Sequence, residues 1–466
     1  DRLIKGLNAQ YLLGIILIII SAFTIMGIMT QRTATDPEAL GNFRFMRELT
    51  LGDIWTDETV PGHFVTFRPV KQSMLRIGYL LFGLNPPVFF SLNLLLLCVV
   101  AGLIYEHIYR RTGEIFPALI AALFFITDWR LTPNIYVIGE VQITLAAIFG
   151  LLALWIIWYG KGNYKPAKVF LLLLCSVLSK EFGLAFALAV FMDALIYKEK
   201  GWKTFVGVAL GVVTVFMGIR LLMDAVPASV MSYSSFFNRI KWYFYNISSG
   251  FVFTFINIFR PGNDGDLPSV DNLQYTIPEA WHIVLFQIIP IVLFFILGFR
   301  KKEAQRVTLP LLFLLVGNSI LFFWRYAYRF HFLGDVGMYI IMGFGIHYIF
   351  RKLGQDFHLP NAIYFCVLLM GSILFWRGQA FSQSLHQMVR WSDRGICSSE
   401  SGFSSLEIGR CLQTRGLCIP TDEYYSQENV SGYYRATDQE TVRLVMEYYQ
   451  IPITYCACLD PYPVCK

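Results

Sequence analysis

The chain has 466 residues, of which 56% are hydrophobic, 16% aromatic and only 15% charged, against the roughly 25% charged residues usual in soluble domains. So much apolar surface excludes a water-soluble fold, a disordered chain, a coiled coil and a collagen, and points to an all-α polytopic membrane protein. The 38 basic and 32 acidic residues leave a formal charge of only +6 with no long basic tract, so no nucleic-acid partner is expected.

Apolar runs recur at the length an α-helix needs to cross hydrocarbon. They predict about eleven spans: 11–29, 87–109, 115–127, 141–159, 169–179, 182–197, 205–223, 283–299, 309–324, 335–350 and 360–376. Strand-like alternation is nearly absent, which excludes an outer-membrane barrel. Basic residues collect after alternate spans, at Arg110 and Arg111, at Lys161, Lys165 and Lys168, at Lys198, Lys200 and Lys203, at Arg300, Lys301, Lys302 and Arg306, and at Arg351 and Lys352. Those loops are cytoplasmic by the positive-inside rule, which puts the N-terminus inside and the C-terminus outside. The first apolar stretch lacks a small-residue cleavage pattern and reads as a retained helix. A chain opening on Asp1 reads as a processed form or fragment. The organisation expected is therefore a membrane domain over 1–376, with exterior loops at 30–86 and 224–282, and a cysteine-rich exterior domain over 377–466.

In chain order, the first residues suited to chemistry are Asp36 and Glu38. In extended backbone they point the same way and present two carboxylates, one of them a base for a hydroxyl nucleophile. The competing reading is a helix cap ahead of Pro37. Asp53, Asp57 and Glu58 are rivals in the same loop, and Arg68, fixed by Pro69, braces that loop. The hairpin 169–197 turns at Ser179-Lys180-Glu181-Phe182-Gly183, toward the outer leaflet. Lys180, Arg325 and Arg329 are cations at that same depth, and Tyr326, Tyr328, Phe330 and His331 stand beside the last two. A charge at a membrane boundary is costly, so it is paired or functional. Pairing of Lys180 with Glu140 or Glu181 is the structural alternative.

Cys98, Cys175 and Cys366 fall in apolar helices as small core residues. Cys397, Cys411, Cys418, Cys456, Cys458 and Cys465 all fall in the exterior tail, where an even number suggests three disulfides with fifteen pairings. Zinc is the rival there, but no Cys-x-x-Cys occurs. Asn246-Ile-Ser248 and Asn429-Val-Ser431 are glycosylation sequons in a eukaryotic host. Residues 437–449 read as one amphipathic helix.

Three segments in order carry a family resemblance: Phe67-Arg68-Pro69 followed by Gly83-Leu84-Asn85-Pro86 and Asn93-Leu94-Leu95, then Leu178-Ser179-Lys180-Glu181-Phe182-Gly183, then Arg325-Tyr326-Ala327-Tyr328. Together they resemble the glycosyltransferase C superfamily, nearest the membrane region of the transmembrane and tetratricopeptide-repeat O-mannosyltransferases. The resemblance implies an inverting glycosyltransferase that moves a sugar from a polyprenyl-phosphate carrier to an acceptor hydroxyl at the outer or luminal face. Asp36 and Glu38 would be the catalytic acids; Lys180, Arg325 and Arg329 would bind the lipid phosphate; Arg68, Tyr326 and His331 would support them. A lipid-linked donor is implied, with a protein or glycan acceptor, and a divalent metal is not required.

The pattern also departs from that group. Asp36 and Glu38 are spaced rather than adjacent, Trp324 stands where an acidic residue commonly precedes the Arg-Tyr stretch, and the tetratricopeptide repeats are replaced by the cysteine-rich tail. The alternative is therefore a catalytically inactive membrane subunit that docks partners through 377–466. A transporter would need a repeated pair of broken helices, which the sequence lacks. The membrane expected is a bacterial cytoplasmic membrane or the endoplasmic reticulum.

Overall fold

The computed structural model describes residues 50–56, 67–83, 86–127, 138–160, 164–198, 201–222 and 332–356, isolated positions among 14–19 and at 46, 131, 134, 135 and 162, and two short strands near the C-terminus. Asp36, Glu38, His63, Arg325, Tyr326, Arg329 and His331 lie outside the described residues. So do the spans predicted at 283–299, 309–324 and 360–376, the sequons, and the tail apart from the backbone of its strands.

The helices are α1 (Asp53–Thr56), α2 (Pro69–Phe82), α3 (Pro86–Thr112), α4 (Ile115–Ile126), α5 (Val141–Tyr159), α6 (Lys165–Ser179), α7 (Leu184–Tyr197), α8 (Trp202–Leu222) and α9 (Phe332–Asp356). Single turns of 3-10 helix at Ile138–Glu140 and Glu181–Gly183 lead into α5 and α7. β1 (Ala457–Leu459) and β2 (Tyr462–Val464) pair antiparallel, with Cys458 opposite Pro463. Among the described residues all else regular is helical.

Among the described residues four stretches are long and apolar enough to cross a membrane: Val88–Thr112, Ile138–Tyr159, Trp202–Leu222 and Phe332–Arg351. The protein is thus an integral membrane protein by the length and composition of its helices. The 12, 15 and 14 residues of α4, α6 and α7 rise only about 18–23 Å, short of the ~30 Å hydrocarbon thickness. They are enclosed instead: α3 packs on α4 and α5, α5 on α6, α6 on α8, α8 on α7, and α9 on α4 and α3. Protein contact on most sides spares a short helix from meeting lipid along its whole length. The most apolar window of α9 is 89% buried and that of α8 only 22%, so α8 is the least enclosed of the four.

Several boundaries differ from the sequence expectation. Lys165 and Lys168 stand in the first turn of α6 rather than in a loop, because Pro166 is pre-set for a first helical turn. The last described span begins at Phe332 rather than 335. The 30–86 region contains a helix, α2, entered through Pro69 at its first position. Leu75 of α2 is buried, whereas Ile77, Leu80, Leu81 and Phe82 near its end are exposed.

The core is built on close helix contact. Any side chain at Gly150 of α5 would meet the Phe186 ring of α7 at 2.1 Å. Cys98 is buried and Cys175 half-buried, and both are free thiols.

Candidate functional site

Arg68 is the last residue before α2, and the following proline disfavours helical backbone there; its φ of −133° and ψ of 62° are non-helical. Its side chain reaches the α6–α7 turn. Nε donates to Glu181 Oε2 at 2.9 Å and Nη2 to Glu181 Oε1 at 2.6 Å, a two-pronged guanidinium–carboxylate pair. Nη1 donates to Gln142 Oε1 of α5 at 2.7 Å. One side chain therefore ties the 30–86 region, the hairpin turn and the start of α5.

Lys180 precedes Glu181 in extended backbone, and its N–H closes α6 on the Ser176 carbonyl. Its carbonyl accepts from Gly183 N–H at 2.8 Å. Gly183 is required by crowding: a Cβ there would lie 2.5 Å from the Ser176 carbonyl carbon and 2.6 Å from its oxygen. Ser176 Oγ in turn donates to the Ala146 carbonyl at 2.7 Å, fixing α6 on α5. The Lys180 ammonium is buried, 4.0 Å from Glu140 Oε2 and 5.4 Å from the centre of the Phe182 ring. Of the two pairings open from sequence, Glu140 is the carboxylate beside Lys180, and Glu181 is taken by Arg68.

Two further cations lie within electrostatic range of this knot. Lys71, in the first turn of α2, acts on Lys180, and Arg220, near the end of α8, interacts with Glu181 and Arg68. The direct pairs are Arg68 with Glu181 and Lys180 with Glu140. Arg220 is absent from the residues that the sequence singles out. Its signal is an arginine closing an apolar helix at the end opposite the basic loops, where no orientation bias calls for one.

The electrostatics follow from this crowding. Burial pushes the Lys180 ammonium down to about 8; Glu140 opposes that, Arg68 and Lys71 add to it, and Glu181 opposes it. For Glu181, burial works against the charge, but Arg68 and Lys180 outweigh it and hold the carboxyl down at about 2.

Asp53, a rival catalytic acid in the sequence, caps α1 reciprocally with Thr50: Thr50 N–H donates to Asp53 Oδ2 at 2.8 Å and Asp53 N–H to Thr50 Oγ1 at 3.2 Å. Among the described residues no group of three or more His, Cys, Asp or Glu could hold a metal.

At the other end of the bundle stand Arg110, Arg111, Lys165, Lys168, Lys198, Lys203 and Arg351. There His347 Nδ1 lies 2.9 Å from Glu114 Oε2, and Arg110 lies 5.1 Å over the Trp155 ring. Arg68, Lys180 and Glu181 are at the opposite end, so the hairpin turn and the entry of α2 meet on one side of the bundle.

No protein-family model matches the chain, and no curated protein matches it in sequence. Solved structures do resemble it. ArnT from Cupriavidus metallidurans in the apo state is 12% identical with a TM-score of 0.44, covering 81% of this chain and 75% of that one. ArnT bound to undecaprenyl phosphate is 13% identical with a TM-score of 0.45, covering 93% and 87%. The Archaeoglobus fulgidus oligosaccharyltransferase, tethered to an acceptor peptide containing the NVT sequon, is 14% identical with a TM-score of 0.47; it covers 96% of this chain, which spans 60% of its length.

Proposed function

We propose that the chain is an inverting glycosyltransferase that moves a sugar from a polyprenyl-phosphate carrier to an acceptor hydroxyl at the outer or luminal face of a bacterial cytoplasmic membrane or the endoplasmic reticulum. The observation that carries this reading is the knot that Arg68 and Lys180 make with Glu181 and Glu140, with Lys71 and Arg220 in electrostatic range of it. It gathers basic side chains at the end of the bundle where the positive-inside rule calls for none. Cations at a membrane boundary suit a lipid-borne phosphate, whose tail stays in the bilayer while its head meets protein. The ordered motif resemblance supports the same reading.

In this scheme Asp36 takes the proton of the acceptor hydroxyl, whose oxygen bonds to the anomeric carbon from the face opposite the phosphate. The bond from that carbon to the phosphate oxygen breaks, and its electron pair leaves with the polyprenyl phosphate. Lys180 and Arg220, with Lys71 and with Arg325 and Arg329 of the motif set, stabilise the charge that grows on the leaving oxygen. Phosphate is a good leaving group, so no general acid is needed. Glu38 orients the acceptor, Tyr326 and His331 line the site, and no metal is required. The acceptor is a protein or glycan. Residues 377–466 form an exterior disulfide-bearing module, with subunit docking as its role.

Transfer assays with polyprenyl-phosphate sugars test the reading. The parent should transfer, and Asp36→Asn should lower turnover by about 10²–10⁴-fold, the usual contribution of a general base. A parent that transfers nothing from any such donor would instead support the inactive subunit.

A further inference from the structure

We infer that Arg68 is a positioning residue for the phosphate site, holding the Lys180 ammonium in place through Glu181 and Gln142; this rests on the function proposed above. Lys180 is flanked by two carboxylate-bearing stretches, and both depend on the same guanidinium. On one side is Glu181, the next residue in the chain, held by two hydrogen bonds of 2.9 and 2.6 Å. On the other is Glu140, two residues before Gln142, whose amide oxygen accepts the third at 2.7 Å. Arg68 therefore fixes both the backbone that carries Lys180 and the segment that carries its carboxylate neighbour.

The rest of the arrangement fits a brace and does not suit a phosphate ligand at Arg68 itself. All three nitrogens of its guanidinium are engaged with Glu181 and Gln142, and its side chain is 14% exposed. A planar fork already matched to a carboxylate has little left for a second anion. In the function proposed above the phosphate-binding role at this turn falls to Lys180, the residue that Arg68 holds in place. Arg68 also joins the entry of α2 to the turn that carries Lys180.

The test uses the full chain in lipid nanodiscs, with radiolabelled undecaprenyl phosphate as the probe and the pH varied from 6 to 10. Among the described residues Glu140, Arg68, Glu181 and Lys71 act electrostatically on Lys180, and Arg220 interacts with Glu181 and Arg68. In the parent, binding should weaken above about 8, where Lys180 loses its proton. Arg68→Gln should weaken binding at pH 7 by at least tenfold and move that alkaline limb upward, because a neighbouring positive charge is gone and Glu181 is left unneutralised. The exchange Arg68→Glu with Glu181→Arg should restore binding to within about threefold of the parent and return the limb; Arg68→Lys, which keeps the charge without the fork, should restore less. Melting temperatures recorded in the same discs separate misfolding from mispositioning, and the exchanged pair decides the matter if the single variant unfolds. A parent that binds while Arg68→Gln binds equally well with an unmoved limb would overturn the brace alone. A parent that binds no undecaprenyl phosphate would overturn the functional reading and the brace with it.

Discussion

Lys180 and Glu181 are adjacent in sequence but meet opposite requirements. Lys180 is a buried ammonium beside Glu140; stripping one partner from such a pair leaves a bare buried charge and costs about 3–5 kcal/mol. Lys180→Met is therefore expected to lower the melting temperature sharply, whereas Lys180→Met with Glu140→Gln should recover most of the stability and none of the transfer. Thermal melts and donor turnover on the two variants check this. Glu181 gives a pH signature. Its carboxyl sits at about 2 against an ordinary 4.5, so the Arg68 pair stabilises the fold fully above 4.5 and loses that contribution as pH falls toward 2. Melting temperature should drop between pH 5 and 3 in the parent, and much less in Glu181→Gln, which starts lower. Lys180 runs the other way: its depressed pKa is a burden below about 8 that is relieved as pH rises toward 10.5.

At the scale of elements, the α6–α7 hairpin shows why a short motif carries so much. The serine, lysine, glutamate and glycine of Leu178-Ser179-Lys180-Glu181-Phe182-Gly183 contribute in physically separate ways. Ser179 Oγ donates back to the Cys175 carbonyl at 2.7 Å, Lys180 and Glu181 supply the charges, and Gly183 admits the Ser176 backbone. Gly183→Ala should cost about 1–3 kcal/mol through overpacking and impair donor binding. Gly218→Ala on α8, where nothing lies within 4 Å of an added Cβ, should be neutral in the same assays. The helices around this hairpin were legible because apolar length and basic flanks report spans directly. The pairing was not. Sequence placed Lys180 between two acids one residue and forty residues away without choosing between them, and Arg68 took Glu181 because its fork reaches from another element. Arg220 escaped notice because one arginine at the end of an apolar helix reads as snorkelling until its neighbours are known. Asp53 looked like a catalytic rival because a cap and a base have the same side chain, and only the reciprocal bonds with Thr50 tell them apart.

Across the whole molecule, the described helices alternate in direction so that basic residues gather at one end and the Arg68–Glu181–Lys180 knot at the other. That separation follows from the short helices α4, α6 and α7 as much as from the long ones: α4 and α6 run from the basic end toward the end that holds the knot, and α7 runs back. α8, the least enclosed of the long helices, brings Arg220 within electrostatic range of Glu181 and Arg68, so under the proposed function a head group arriving laterally from the bilayer would meet that cation. Photolabelling is the most direct trial of this arrangement: an undecaprenyl phosphate with a diazirine next to the phosphate, incorporated with the full chain in nanodiscs and mapped by mass spectrometry. The account predicts adducts concentrated on 68–72, 178–184 and 216–222, competed away by unlabelled undecaprenyl phosphate. Labelling confined to the end that carries Arg110, Lys198 and Arg351, or scattered without competition, would contradict it.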